Sequence, residues 1–517
     1  MTIAPNWDTI IVGGGSAGAI VAGILAQRDP SEKILLLEAG RSDRHPLVQT
    51  PLGLVRMMGD RGFDWCFESV PSDSQGQAIT KIPRGKMLGG SGSINSMLYI
   101  RGRPSDYDEW AEAHGAAGWA WQDVLPVFKR MEQNRDQSDE TRHGFDGPMH
   151  VENQASPHPL TQHFIGAGRQ LQIPGNQDFN GSTQEGLGLY QCNMKNGRRW
   201  TGVDAYLRPA IGRSNLTVET NVNVRHVQLS GRKATGVVLN DGRAIPANRR
   251  VILCAGAIGT PSILMRSGIG PQGHALHLAG VGQNLQDHPA APISYKTADI
   301  GHGLAWRNLG WILGAPFQYL ARRRGMLASP TVEAGGFVKT DSSQAQPDVQ
   351  FHFGPFNLSY WGHGLFADAC VLKPYSRGQL ALNADGSPSI DLNLLSDERD
   401  TDTLFRGWRL LAQICQQMSQ NLAGQPWEQI SPGLDPNDSE ALRLWLKSSS
   451  YTSYHPVGTA KMGLAQDPMA VVHPVTMGVH GSEGLFVVDA SVMPTLVAGN
   501  TNNPTMMIAE KSARELL

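Results

Sequence analysis

An α/β fold built on a Rossmann-type unit is predicted by three stretches of this 517-residue chain. "DTIIVGGGSAGAIVAGILA" (8–26) is a β-branched run, then glycines, then a helix of small residues. "KILLLEAG" (33–40) is a second apolar strand, closing on Glu38. "RRVILCAGAIGTPSILMRSGIGP" (249–271) supplies a third buried strand, an Ala-Gly turn and another helix. Strand, glycine turn, helix, strand is the order of a parallel βαβ unit. The chain is longer than one hydrophobic core usually serves, so two domains are expected.

The first turn carries Gly13, Gly15 and Gly18 in G-x-G-x-x-G spacing. The first glycine permits a tight turn, the second lets backbone approach a pyrophosphate, and the third lets the helix pack close to its strand. The helix N-terminus offers N–H donors to phosphate. Glu38 follows Gly18 by about twenty residues, where a carboxylate can hold a ribose diol. This pattern predicts a dinucleotide and leaves NAD and FAD both open.

"PRGKMLGGSGSINSMLYIRG" (83–102) packs Gly85, Gly89, Gly90 and Gly92 between Arg84, Lys86 and Arg101. Such a loop can lie against a flat or charged ligand, and the apolar residues after it predict an ordered one. In the third stretch Thr260 is the expected N-cap and Pro261 the first helical residue. Near the end, "GLFVVDASVMPTLVAGNTNNPTMMIAEKSARELL" (484–517) gives another buried strand, Asp489 at its tip, and a closing helix. There Asn503 reads as the cap and Pro504 as the first helical residue. Between them, "SYHPVGTAKMG" (453–463) sets His455 before Pro456 and Gly458. Proline biases the preceding residue toward extended backbone, so His455 reads as a side chain held in a constrained place.

The composition narrows the class. A net charge of −2 argues against nucleic acid. Cys66, Cys192, Cys254, Cys370 and Cys415 are scattered, odd in number and never in CxxC spacing, so neither a disulfide framework nor a metal site is expected. The opening strand leaves no room for a signal peptide, and no apolar run approaches the ~20 residues of a membrane span. A cytoplasmic protein is expected, with peripheral membrane contact as the alternative. "WRNLGWILGAPFQYLARRRG" (306–325) mixes apolar residues with a basic end. It reads as a lid helix or as a surface touching membrane and quinone, the lid being the simpler reading.

Four ordered segments together resemble the glucose–methanol–choline (GMC) oxidoreductases: "RGKMLGGSGSIN", "GAIGTPSILMRSGIG", "YHPVGTAKMG" and "NTNNPTMMIAEK". The resemblance spans nearly the whole chain and is nearest to the choline and aliphatic alcohol dehydrogenase branch. It implies an FAD domain from 1–150, 188–287 and 452–517, and a substrate domain from 151–187 and 288–451 whose antiparallel sheet roofs the flavin. "DVQFHFGPF" and "GQLAL" read as strands of that second domain. The resemblance makes His455 the proton acceptor and places its partner at Asn502, whose amide would hydrogen-bond the substrate oxygen, with a shift of one residue as the alternative. It implies FAD contacts from Gly13, Gly15, Ser16, Ala17, Gly18, Glu38, Ala39, Arg84, Gly89, Gly90, Asn95, Val224, Ala255, Gly256, Asp489, Ala490, Asn503, Pro504 and Thr505. The closing helix would aim its N-terminus at the flavin pyrimidine ring, a dipole effect of ~1 kcal/mol.

In some relatives a histidine just before the asparagine of the glycine segment bonds covalently to flavin. Ile94 stands there, so non-covalent FAD is expected. In choline-oxidising relatives a glutamate can follow Asp-His-Pro. Here Ala290 follows Asp287-His288-Pro289, and the expected pocket residues Phe351, Phe353, Phe356 and Trp361 lie in a stretch without an acid. A neutral primary alcohol is therefore the expected substrate. The electron acceptor stays open between dioxygen, a quinone and a protein. A lyase or a light-driven decarboxylase of the same fold is the rival reading.

Overall fold

The computed structural model describes residues 7–297, 300–303, 309–357, 362–422, 427–435 and 438–517. Strand β1 (Trp7–Val12), helix α1 (Ser16–Arg28) and strand β2 (Ile34–Glu38) form the expected opening unit. Every residue of β2 is buried, as in a strand covered on both faces. A Cβ on Gly18 would sit 1.8 Å from the Gly13 carbonyl oxygen, so only glycine lets α1 lie this close to the turn.

Strands β3 (Leu216–Thr220), β4 (Val224–Ser230), β5 (Lys233–Leu239) and β6 (Ala244–Leu253) complete most of the first sheet. Its order is β3-β2-β1-β6-β5-β4, with the late strand Leu485–Val487 also paired to β6. Pairing is parallel from β3 to β6 and antiparallel through β5 and β4. Ile10, Ile11, Leu36, Val251 and Ile252 anchor its core.

Helix α2 (Gly256–Arg266) starts earlier than the sequence suggests: Ala255 occupies the cap position and Pro261 lies inside the helix. Proline cannot donate to the carbonyl four residues back. The hydroxyl of Thr459 does so instead, donating to Ala257 O at 2.7 Å.

The second sheet is built from β7 (Pro289–Thr297), β8 (Ala334–Val338), β9 (Val349–Gly354), β10 (His363–Val371) and β11 (Trp427–Ser431). Its order is β8-β9-β10-β7-β11, all antiparallel, with Tyr451–Thr452 added to β7. The "GQLAL" strand, Gln379–Leu382, forms a separate hairpin with Pro388–Asp391. Helix α3 (Leu309–Arg322) precedes β8, and helix α4 (Glu398–Asn421) packs across the sheet.

Strand alternation divides this sheet between two surroundings. Phe351, Phe353, Leu365, Ala367 and Ala369 join Leu404 and Trp408 of α4 in a second core. Phe353 stacks on Phe164 with ring centroids 4.5 Å apart. The opposite face, with Pro292, Ser294, His352, Phe366 and Asp368, looks into a cavity. Among the described residues, no helix is long and apolar enough to cross a membrane.

Candidate active site

One cavity of about 1500 Å³ lies between the two sheets, lined both by the glycine turn and by the roof strands. His455 lines it. Asp287 carboxyl oxygen Oδ1 accepts from the backbone N–H of His455 at 2.9 Å and of His288 at 2.8 Å. Burial pushes the Asp287 carboxyl up to about 6. Tyr454, just before His455, has φ +66, a left-handed backbone unusual for tyrosine. Two bonds hold it there: its N–H donates to Thr452 Oγ1 at 2.8 Å, and its carbonyl accepts from Arg84 at 2.6 Å. A Cβ on Gly458 would lie 2.5 Å from Asn284 O, so the chain passes there only as glycine. Sequence foresaw a constrained histidine; these contacts supply the constraint.

A relay fixes which nitrogen of His455 carries its proton. Nε2 of fully buried His288 lies 3.1 Å from the carbonyl oxygens of both Leu372 and Val497. Carbonyls only accept, so Nε2 holds the proton. Burial lowers the His288 imidazole to about 3, and the neutral ring leaves Nδ1 as acceptor. His455 Nδ1 is 3.0 Å from that acceptor and therefore donates. His455 Nε2 is left with a lone pair. Burial, then the nearby His288, His352 and Arg84, push His455 well below the usual imidazole range, keeping it neutral.

The side chain opposite that lone pair is Asn500, not Asn502. Asn500 Nδ2 is 3.2 Å from His455 Nε2, while its Oδ1 accepts from Gln350 Nε2 at 3.2 Å. Asn502 Oδ1 accepts instead from Ser16 Oγ at 2.7 Å. The closing helix, Asn502–Lys511, has Thr501 at its cap position. Asn503 is therefore no cap; it is buried and donates to Leu98 O at 3.3 Å.

The roof contributes a polar group that the sequence reading missed. His352 Nδ1 donates to Asp368 Oδ1 at 2.8 Å, and Tyr451 OH donates to Asp368 Oδ2 at 2.8 Å. All three line the cavity. The expected pocket residues fare differently. Phe351 and Phe353 face the α4 core, and Phe356 packs with Ala315 and Met326. Trp361 lies outside the described residues. An alternating strand puts its aromatic residues in the core and the histidine between them in the cavity.

A family model for GMC oxidoreductase matches residues 7–290, and its C-terminal counterpart matches residues 374–509. The chain belongs to the GMC oxidoreductase family. It is 38% identical over 530 residues to an alcohol dehydrogenase [acceptor] of Pseudomonas putida, covering 98% of this chain and 95% of that one. It is 37% identical over 533 residues to an oxygen-dependent choline dehydrogenase of Rhizobium etli, covering 99% and 95%. Among solved structures, pyridoxine 4-oxidase from Mesorbium loti matches with a TM-score of 0.85 at 30% identity, covering 98% of this chain and 99% of that one. A formate oxidase matches with a TM-score of 0.87 at 25% identity, covering 99% and 98%.

The rest of the cavity of this GMC oxidoreductase fits FAD, the dinucleotide of the family. Gly13, Gly15, Ser16, Ala17, Glu38, Ala39, Arg84, Gly90, Asn95, Val224, Ala255, Gly256, Asp489, Ala490 and Thr505 all line it. Four expected contacts do not. Gly18 packs against the Gly13 carbonyl, and Gly89 N–H donates to Gly14 O at 2.8 Å. Asn503 and Pro504 lie in the first turn of the closing helix, outside the lining. Glu38 accepts from the N–H groups of Gly14 and Gly40, both at 2.8 Å, and burial raises it to about 7. Asp489 Oδ2 accepts from Gly256 N–H at 2.8 Å, which pins the start of α2 beside the cavity. Arg199, unassigned by the sequence, clamps the glycine loop: its guanidinium donates to Asn95 O at 2.7 Å and to Asn95 Oδ1 at 2.8 Å.

Proposed function

We propose that this GMC oxidoreductase is an FAD-dependent enzyme that oxidises a neutral primary alcohol, aliphatic or aromatic, to its aldehyde. The observation that carries this reading is the relay from His288 to His455 to Asn500. It leaves a neutral imidazole lone pair at His455 Nε2, next to an amide donor, on the wall of the cavity. A hydroxyl that reaches both and takes the place of the Asn500 N–H at the lone pair would give its proton to Nε2 while Asn500 Nδ2 donates to the alkoxide oxygen. FAD, when bound, accepts the hydride from the carbinol carbon. Asp287 holds the His455 backbone, and Gln350 holds the Asn500 amide in the orientation that presents its N–H groups. The neutral-substrate reading rests on Ala290, a methyl group where choline-oxidising relatives can carry a glutamate, and on the roof carboxylate Asp368 being engaged by the protein itself, Oδ1 by His352 and Oδ2 by Tyr451.

Asp368 also supports a second reading. A carboxylate among His352, Tyr451 and Phe366 is the kind of surrounding a quaternary ammonium accepts. The relatives named choline dehydrogenase make that comparison direct. Anaerobic flavin bleaching by hexanol, benzyl alcohol and choline separates the two readings. Faster bleaching by the neutral alcohols is expected. A clear preference for choline would replace the first reading with the second, and no bleaching by any alcohol would leave the lyase and decarboxylase readings standing. Peroxide measured during turnover, with and without an artificial acceptor, separates oxidase from dehydrogenase.

A further inference from the structure

Helix α3 presents an apolar face to solvent. Leu313, Phe317 and Leu320 are 61%, 76% and 69% exposed. With exposed Pro316 they fall within about 100° of the helix circumference at 3.6 residues per turn. The opposite side is the anchored one. Ala315 and Tyr319 are buried, Ala315 packs with Met326 and Phe356, and Tyr319 OH donates to Gln49 O at 3.3 Å. These turns are therefore apolar on both sides, where an ordinary surface helix turns polar residues to solvent.

Charge follows the stripe at once. Arg322, Arg323 and Arg324 are exposed, and the Arg323 guanidinium lies 4.8 Å above the Tyr319 ring. From residue 300 to residue 332 the sequence holds no acid, although the whole chain has a net charge of −2. An apolar stripe with large side chains beside a run of arginines matches an anionic lipid surface: chains beneath, phosphates at the rim.

We propose that α3 is an interfacial anchor that seats the protein on an anionic bilayer. The helix is well placed to serve the cavity. Leu52 packs against the cluster that holds Ala315, and two residues along, Leu54 and then Met58 line the cavity wall. Seating α3 in the headgroup layer would bring that wall to the membrane, where an apolar alcohol concentrates. The anchor itself does not depend on which alcohol is oxidised.

The test is flotation of the flavin-loaded full chain with phosphatidylcholine vesicles, with and without phosphatidylglycerol. Flotation with the anionic vesicles, weakened by salt, is expected. The triple substitutions L313Q/F317Q/L320Q and R322Q/R323Q/R324Q should each reduce the floated fraction roughly tenfold or more. Flavin absorbance, circular dichroism and turnover of a water-soluble alcohol should be unchanged, since these side chains sit outside the cavity. Equal flotation of parent and variants overturns the proposal, as does no flotation of the parent. So does a parent dimer that the apolar variant converts to monomer without any vesicle binding, which would assign the stripe to a second copy.

Discussion

His288 Nδ1 lies 3.0 Å from His455 Nδ1, at the end of a chain of bonds that begins on two carbonyl oxygens. The contact is informative because two neutral imidazoles can share one hydrogen bond only if one ring donates and the other accepts. The carbonyls decide which. Replacing His288 by leucine should leave the protein folded and flavin-loaded but free the tautomer of His455. Flavin reduction should slow by roughly 10- to 100-fold, the range seen when an orienting partner of a functional histidine is lost. Nitrogen-15 spectra of the histidine ring should show mixed tautomers at His455. A single Nδ1–H tautomer and an unchanged rate would refute the relay.

His455→Ala removes the lone pair itself. The variant should bind FAD, and flavin reduction should fall by at least ~100-fold, the scale of a lost general base. Raising pH should return part of the rate, because the alcohol then ionises more readily. Asn500→Ala should cost less than His455→Ala, and Asn502→Ala less than Asn500→Ala, because Asn502 contacts Ser16 and not His455. Equal losses at positions 500 and 502 would contradict this ranking.

Stability should fall on acidification through these same rings. His288 is lowered from 6.5 to about 3 in the folded chain, and His455 shifts in the same direction. Between those limits the unfolded chain binds protons that the folded chain refuses. Stability is thus fullest above pH ~6.5 and drops as pH falls toward ~3, by up to ~1.4 kcal/mol per pH unit for each ring. Denaturant unfolding at a series of pH values, parent against His288→Leu, measures the contribution; parallel curves would rule it out.

FAD should come away from the protein without a bond being broken. Ile94 is buried at the end of the glycine segment and offers no nucleophile. Acid precipitation and centrifugation should leave the yellow colour in the supernatant. Colour in the pellet would show a covalent link.

Thr459→Val tests the repair of α2. The substitution keeps the volume but strands the Ala257 carbonyl that Pro261 cannot satisfy. A loss of ~1–3 kcal/mol is expected in denaturant unfolding, the cost of an unpaired buried acceptor. An unchanged midpoint would show that another donor reaches that carbonyl.

Much of the fold could be read from the chain because its signals are local. A glycine turn between an apolar strand and a small-residue helix depends on few distant contacts, and β1, α1 and β2 stand where the pattern puts them. His455 stood out for the same reason, between a tyrosine and a proline. The misreadings share another cause. Asn500, Asn502 and Asn503 sit in one short run, and distant partners, Gln350, Ser16 and Leu98, decide which amide meets His455. Thr260 and Pro261 look like a helix start because sequence does not show that Thr459, about 200 residues away, fills the missing bond. Phe351 and Phe353 looked like pocket walls because aromatic residues suit a ligand. Strand parity, set by pairing with β8 and β10, assigns them to the core.

That parity has a practical side for anyone altering what the protein accepts. Along β9 and β10, positions 352, 366 and 368 face the cavity, while 351, 353, 365, 367 and 369 bear on α4 and its neighbours. A combinatorial library confined to the first set would sample shape and charge at the substrate while sparing the interior that keeps clones folded. A library randomising the same stretch without regard to parity would lose most of its members to misfolding before any was assayed. The strand's two-residue repeat is thus a ready-made partition between positions free to evolve and positions that are not.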